Sequence, residues 1–253
     1  MNQVGLCSVT FRKKSVEEIL LFCKENKIDC IEWGSDIHVP VGDLERAKAV
    51  KKLSEEYGVQ CGSYGSYFKF RENEDFNAVS LTAEALGVNV IRVWAGEKNS
   101  EDLYCSIQQY NQIVKTAKEC AKIAKQRNQI LAFEYHHSTC CNYAGSVLKL
   151  LSDIGEENVK TYWQPMYWLE SASEKEELEE NIRSLRLLKD YVQNVHVYKW
   201  RFHERRALKG SEKEWKQYVD ILSGERNYYI EFCKDEQEKQ CSEDAKVLRE
   251  ILK

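Results

Sequence analysis

The sequence predicts an α/β protein built as a single (β/α)8 TIM barrel, and three observations carry that prediction. Short apolar or β-branched runs alternate eight times with amphipathic helical stretches. The chain has 253 residues, a length that eight such units fill. No linker, low-complexity stretch or shift in composition divides it, so residues 1–253 read as one domain.

The first strand is QVGLCSV (3–9); Ser15, with Glu18 three residues on, then opens a helix over 15–26 as a capping box. DCIEW (29–33) leads to a helix near 43–57, and VQCGSY (59–64) to one near 75–86. NVIRVWA (89–95) precedes the longest helical pattern, 101–127. QILAFEY (129–135), VKTYWQ (159–164) and VQNVHVYKW (192–200) follow, with helices near 143–154, 173–190 and 211–222. Ser211 and Glu214 again match a capping box. YYIEFC (228–233) and a helix near 236–252 close the alternation. The first strand is followed by SVTFRKK rather than GxGxxG, and no Walker loop is present, which argues against an open nucleotide-binding sheet.

A composition of 43% hydrophobic and 31% charged residues is that of a globular chain with a sizeable core. The formal net charge of −4 argues against nucleic acid or an anionic membrane as partner, since both attract a basic face. No run approaches the ~18 apolar residues of a membrane span. The N-terminal charges follow the short apolar run, the reverse of a signal peptide, so a cytoplasmic location is expected. None of the ten cysteines forms a CxxC pair and most occupy apolar-periodic positions. They are expected to be reduced, buried thiols, with the adjacent Cys140 and Cys141 the one pair that invites redox chemistry.

Polar residues embedded in apolar runs fall at the ends of the predicted strands, where barrel chemistry collects. Glu32 and Trp33 end the second strand, with Asp36 and His38 beyond; Arg92 and Trp94 lie on the fourth. Glu134 ends the fifth, before His136 and His137; Gln164, His196 and Glu231 mark the sixth, seventh and eighth. A carboxylate buried unpaired in a run such as ILAFEY costs several kcal/mol. Each embedded Glu therefore needs a Lys or Arg partner, or a cation shared with its neighbours. Oxygen and imidazole donors on four successive strands suit Mn, Mg, Co or Zn ions. Trp33, Trp94, Trp163 and Trp200 either present aromatic faces to a sugar or cap the core. His38 and His136 are placed to hydrogen-bond hydroxyls or shuttle protons. Arg92 points the same way as Trp94 and either neutralises Glu32 or Glu134 or clamps an anion. In WRFHERRALKG, Arg201, Arg205, Arg206 and Lys209 form either an anion site or a solvated loop.

At these residues the chain resembles the xylose isomerase-like TIM barrels, the sugar phosphate isomerase/epimerase superfamily. The resemblance rests on IEWGSDIHVP, YGSYF, IRVWAG, FEYHHSTCCN, TYWQP, NVHVYKW and YIEFCKD, in that order. It implies a divalent metal held by Glu134, Gln164, His196 and Glu231, with Gln164 standing where Asp is usual. It implies that Glu134 and Glu231 form the acid/base pair that moves a proton through an enediolate. The implied activity is a metal-dependent isomerase or epimerase acting on a sugar or sugar phosphate. A dehydratase of the inosose type on the same site is the alternative, or a sugar-binding barrel without catalysis, which the amide at 164 allows. The implied assembly is a homo-oligomer. An apurinic endonuclease on this fold needs many more His and Asp ligands and a basic face, which five His and a net charge of −4 do not supply.

Overall fold

The computed structural model describes residues 1–98, 105–167, 172–201 and 204–253. Eight parallel strands close into a barrel: β1 (Gln3–Cys7), β2 (Cys30–Gly34), β3 (Gln60–Phe68), β4 (Val90–Val93), β5 (Ile130–Glu134), β6 (Val159–Trp163), β7 (Val192–Val197) and β10 (Asn227–Ile230). The ring is sealed where β1 pairs with β10, Gln3 opposite Asn227. Eight helices alternate with these strands: α1 (Val16–Glu25), α2 (Leu44–Tyr57), α3 (Phe76–Leu86), α4 (Ile107–Gln126), α5 (Ala144–Ile154), α6 (Glu174–Leu188), α7 (Glu212–Ile221) and α8 (Glu238–Ile251).

The predicted alternation therefore holds along the described chain. The expected start of the fourth helix, at 101, lies outside the described residues. The Ser15–Glu18 capping box forms on both sides, but the Ser211 hydroxyl turns to the Leu208 carbonyl at 2.5 Å and caps nothing. The stretch read as a loop after the seventh strand instead folds partly as an antiparallel ribbon, β8 (Lys199–Arg201) against β9 (Glu204–Arg206).

Two cores follow from the period-2 alternation of strand side chains. The larger lies between barrel and helices. The smaller fills the barrel itself and contains Cys7, Cys30, Val90, Ala132, Tyr162 and Tyr229. The Tyr229 ring is admitted by glycine on β1 and on β3 across the barrel, since a Cβ at Gly5 would sit 2.3 Å from its ring and one at Gly62 2.4 Å from its hydroxyl. Small residues opposite large ones let the closed barrel reach close packing.

The same alternation corrects two expected substrate contacts. Trp33 and Trp163 are adjacent in sequence to Glu32 and Gln164, so they point the opposite way, into the outer core. Trp163 is fully buried; its indole N–H donates to Ser184 Oγ at 3.1 Å and its ring meets Tyr218 at 5.0 Å. Cys105 and Cys140, expected to be free thiols, are joined by a disulfide, while Cys141 is a buried free thiol not bonded to Cys140. The pairing spans 35 residues of sequence and links the segments after β4 and β5.

Trp163→Ala leaves a cavity in the outer core, and we expect it to cost about 3–5 kcal/mol of unfolding free energy. Chemical denaturation measures this; an unchanged denaturation midpoint would contradict the outward placement of the ring.

Candidate active site at the barrel mouth

A cavity of about 220 Å³ opens at the C-terminal ends of the strands. Its polar wall is Arg92, Glu134, Gln164 and Glu231; Tyr67, Trp94, His136, Tyr167, Tyr198, Trp200 and Phe232 form an aromatic collar, and Arg12 stands at its edge. The polar residues sit two positions beyond the inward residues Val90, Ala132, Tyr162 and Tyr229, so the strand period points all four into the barrel.

Beneath the cavity lies a layer of buried charge centred on Arg92. Its Nε donates to Glu32 Oε1 at 2.8 Å and its Nη1 is paired with Glu134 Oε2. Its guanidinium also faces the Tyr67 ring at 4.9 Å from the centroid. Room for the group comes from Gly65, where a Cβ would lie 2.7 Å from Arg92 Nη2. Glu32 takes a second hydrogen bond from Ser63 Oγ at 3.0 Å. Burial favours its neutral form, but the Arg92 charge overcomes this and, with His196, holds the carboxyl well below the usual range.

His196, fully buried on β7, is the meeting point of the expected metal ligands. Its Nδ1 lies 3.2 Å from Glu231 Oε2, 3.3 Å from Gln164 Oε1 and 3.8 Å from Glu134 Oε1. Its Nε2 faces Glu32 Oε1 at 3.4 Å without an aligned hydrogen bond among the described residues. Burial lowers its pKa, yet the Glu231 carboxylate more than reverses this and raises it well above the ordinary value. The Gln164 amide is oriented by its own bond, Nε2 donating to the Tyr135 carbonyl at 2.6 Å, which turns Oε1 toward His196. Glu134 is held on one edge only: Trp94 Nε1 donates to Oε2 at 2.5 Å beside the Arg92 pair, leaving Oε1 toward His196.

The four expected ligands are thus brought together, with Arg92, Trp94, His136 and Trp200 around them. His136 stacks on Trp94 with centroids 4.8 Å apart, and burial lowers its pKa. Two other expected contacts are not at the cavity. His38 is buried beside Trp33, its Nε2 at 3.2 Å from the Lys14 carbonyl and its Nδ1 at 3.0 Å from Ser8 Oγ. Arg201 turns toward α6, where its Nη1 lies 3.1 Å from Glu177 Oε2. Of the remaining loop cations, Arg205 covers Trp200 and Phe232 at 5.0 and 4.3 Å and pairs with Glu236.

Glu32, expected only as a strand-end carboxylate that Arg92 could neutralise, takes that role beneath the expected ligands; it lies two residues after the inward Cys30. Sequence reasoning missed Tyr67, which no periodicity marks. The β3–β4 register shifts between Gly65 and Phe68, and Tyr67 takes a left-handed φ of 53°. Phe232, at φ 59°, is a second aromatic held that way on the cavity wall. Such conformations cost about 1–3 kcal/mol each and cluster at functional sites.

Comparison with known families decides the fold family. Residues 20–251 match the family described as xylose isomerase-like TIM barrel. The chain belongs to that family. No curated protein matches it in sequence. Among solved structures, the probable 3-DHS dehydratase AsbF of Bacillus anthracis is similar at 18% identity and TM-score 0.78, over 98% of this chain and 99% of that one. D-Psicose 3-epimerase of Clostridium cellulolyticum H10, solved with D-tagatose, is similar at 13% identity and TM-score 0.73, over 99% of each chain. A xylose isomerase domain protein of Alicyclobacillus acidocaldarius reaches TM-score 0.77 at 13% identity, over 100% of this chain and 98% of that one. At these identities the likeness is one of fold.

Removing the Arg92 charge leaves Glu32 and Glu134 buried without their cation, so Arg92→Met is expected to cost about 3–5 kcal/mol near neutral pH. The depressed Glu32 pKa means that its pairing contributes stability above the ordinary carboxylate value of 4.5, and loses it as pH falls toward the depressed value. The deficit of the variant relative to the parent is therefore expected to shrink below that pH. A pH-independent deficit in urea titrations would show that the charge pairing is not its cause.

Proposed function

We propose that the protein is a metal-dependent sugar isomerase or epimerase, with its reaction centre at His196. One observation carries the reading: three oxygens, from the ends of β5, β6 and β10, face one imidazole nitrogen on β7 at 3.2–3.8 Å. Donors about 2.0–2.2 Å from a shared ion stand at similar separations from one another; His196 and Glu231 already lie in a group of donor atoms all within 4.8 Å of one another, and Glu134, outside that group, would swing Oε1 inward to join them. The charge supports the same conclusion. With His196 neutral, as a metal ligand must be, Glu32, Glu134 and Glu231 are opposed by Arg92 among the described buried groups here, which leaves two negative charges; without an ion, the proton that Glu231 holds on His196 offsets one of them. A divalent ion balances both. Cys7 Sγ also lies within 4.8 Å of donor atoms of His196 and Glu231, but burial raises its pKa strongly and keeps it a thiol.

Glu134, Gln164, His196 and Glu231 would hold the metal, which supplies Lewis acidity toward a carbonyl or hydroxyl oxygen. The two carboxylates are unequal in this chain. Glu134 has Oε2 engaged by Arg92 and Trp94, whereas Glu231 has only Oε2 facing His196. Glu231 Oε1 is therefore the oxygen placed to take a proton from a substrate carbon, with Glu134 the fixed partner across the site. The collar excludes water from the polar floor, and its aromatic faces suit the C–H surface of a sugar.

The inequality of the carboxylates also favours a second reading. Loss of a β-hydroxyl after proton removal needs one mobile base, so a dehydratase can run on Glu231 alone.

Metal analysis of the purified protein, followed by proton exchange from D₂O into a panel of ketoses and inososes, tests both readings. Deuterium incorporated into recovered sugar or its isomer supports the first; an unsaturated product supports the second. Glu231→Gln is expected to reduce exchange by a factor on the order of 10² or more while the protein stays folded, and exchange that persists would sink the assignment. Gln164→Leu removes one oxygen donor and is expected to weaken metal binding by about tenfold or more in competition with a chelator dye.

A further inference from the structure

We infer that the substrate carries an anionic group, a carboxylate or a phosphate, received at the cavity rim by Arg12 and Tyr67; this rests on the cavity being the reaction site. Among the described residues of the cavity wall the cations are Arg92 and Arg12. Arg92 is fully buried and committed to Glu32 and Glu134. Arg12 is half-exposed, and its present partner, Asp36, is itself about a third exposed. An ion pair so open to water is weakly held, and an incoming anion can replace the carboxylate on the same guanidinium.

Tyr67 completes the receptor. Arg12 Nη2 donates to the Tyr67 hydroxyl at 3.4 Å, so that hydroxyl accepts from arginine and has its own proton to give to an anionic oxygen. The left-handed backbone at Tyr67 brings the ring over Arg92 and the hydroxyl to Arg12. The segment bearing Arg12 is braced on both sides. Thr10 Oγ1 accepts from Phe232 N at 3.1 Å, tying it to the turn after Glu231. On the other side Ser8 Oγ accepts from Gly34 N at 2.9 Å and meets His38, whose other nitrogen faces the Lys14 carbonyl. His38 thus positions this segment rather than touching substrate.

The polarity of the cavity sets the direction of binding. Glu134 and Glu231 line its depth and repel a second anion, whereas Arg12 attracts one at the edge. The polyol end enters toward His196 and the charged end stays at the rim.

Titration calorimetry on the protein as purified tests this with two matched pairs, D-fructose against D-fructose 6-phosphate and D-glucose against D-glucuronate. The charged member of at least one pair is expected to bind about tenfold or more tightly, with an advantage that shrinks as salt is raised. The pair that shows it tells phosphate from carboxylate. Arg12→Gln is expected to bring the ratio close to one, and Arg12→Lys to keep part of it. Equal binding within both pairs, or an advantage that survives Arg12→Gln, overturns the inference. Charge preference without any D₂O exchange would leave this inference standing and sink the isomerase reading. Exchange into neutral sugars without charge preference would do the reverse.

Discussion

The arrangement at the barrel mouth depends on one buried ion bridge, Arg92 between Glu32 and Glu134. A guanidinium inside a barrel is tolerated only if its donors are used and its charge is matched. Two carboxylates each take one of its donors and together more than match its charge, and Gly65 leaves the space. Once the bridge is in place, the remaining freedom is small. Glu134 can offer only Oε1 to the site, because Oε2 is taken by Arg92 and Trp94. Glu32 lies under His196 and presents an oxygen to its Nε2, which favours a ring orientation with Nδ1 toward Glu231 and Gln164. The bridge thus orders the floor without touching the point on which the donors converge.

Above that floor the surroundings change within one layer of side chains from charged to aromatic. Trp94 and His136 stack, Tyr167 and Trp200 pack with centroids 4.7 Å apart, and Phe232 closes the side next to Glu231. Displacing water from a charged floor strengthens every electrostatic interaction there. This makes excess negative charge around His196 costly, and a proton held on His196 offsets part of it. The aromatic collar and the acidic floor are therefore parts of one design: the first lowers the local dielectric, and the second is unstable in it without a counter-charge.

Much of this was legible in the sequence because a strand alternates with period two. Arg92, Glu134, Gln164, His196 and Glu231 lie at even offsets from residues that fill the barrel, and each was identified from the anomaly of a polar group in an apolar run. The same rule, applied to Trp33 and Trp163, would have sent them outward; being next to a site residue was mistaken for facing the site. Other features have no local signature. Tyr67 reaches the cavity through a register shift and a left-handed residue, Arg12 from a short 3₁₀ turn, and Cys105 meets Cys140 across two loops. The placement of Arg12 beside Phe232 arises from closure of the barrel, which brings β1 beside β10 across the whole length of the chain; the other two depend on how neighbouring strands and their loops meet.

Gln164 takes its meaning from this geometry. A neutral amide at a position proposed to bind metal looks like a lost carboxylate, but its surroundings call for an amide. Its Nε2 donates to the Tyr135 carbonyl at 2.6 Å, a bond that an ionised carboxylate cannot make. A carboxylate there would set an oxygen against that carbonyl, and an Asp side chain is also one methylene shorter. The amide leaves Oε1 as an oriented neutral donor beside His196 Nδ1. It also keeps the floor at three carboxylates against one guanidinium, which a divalent cation neutralises and a fourth carboxylate would unbalance. In this chain, then, Gln164 fits the charge-balanced metal site proposed for it, and the amide by itself gives no ground for regarding the barrel as catalytically silent.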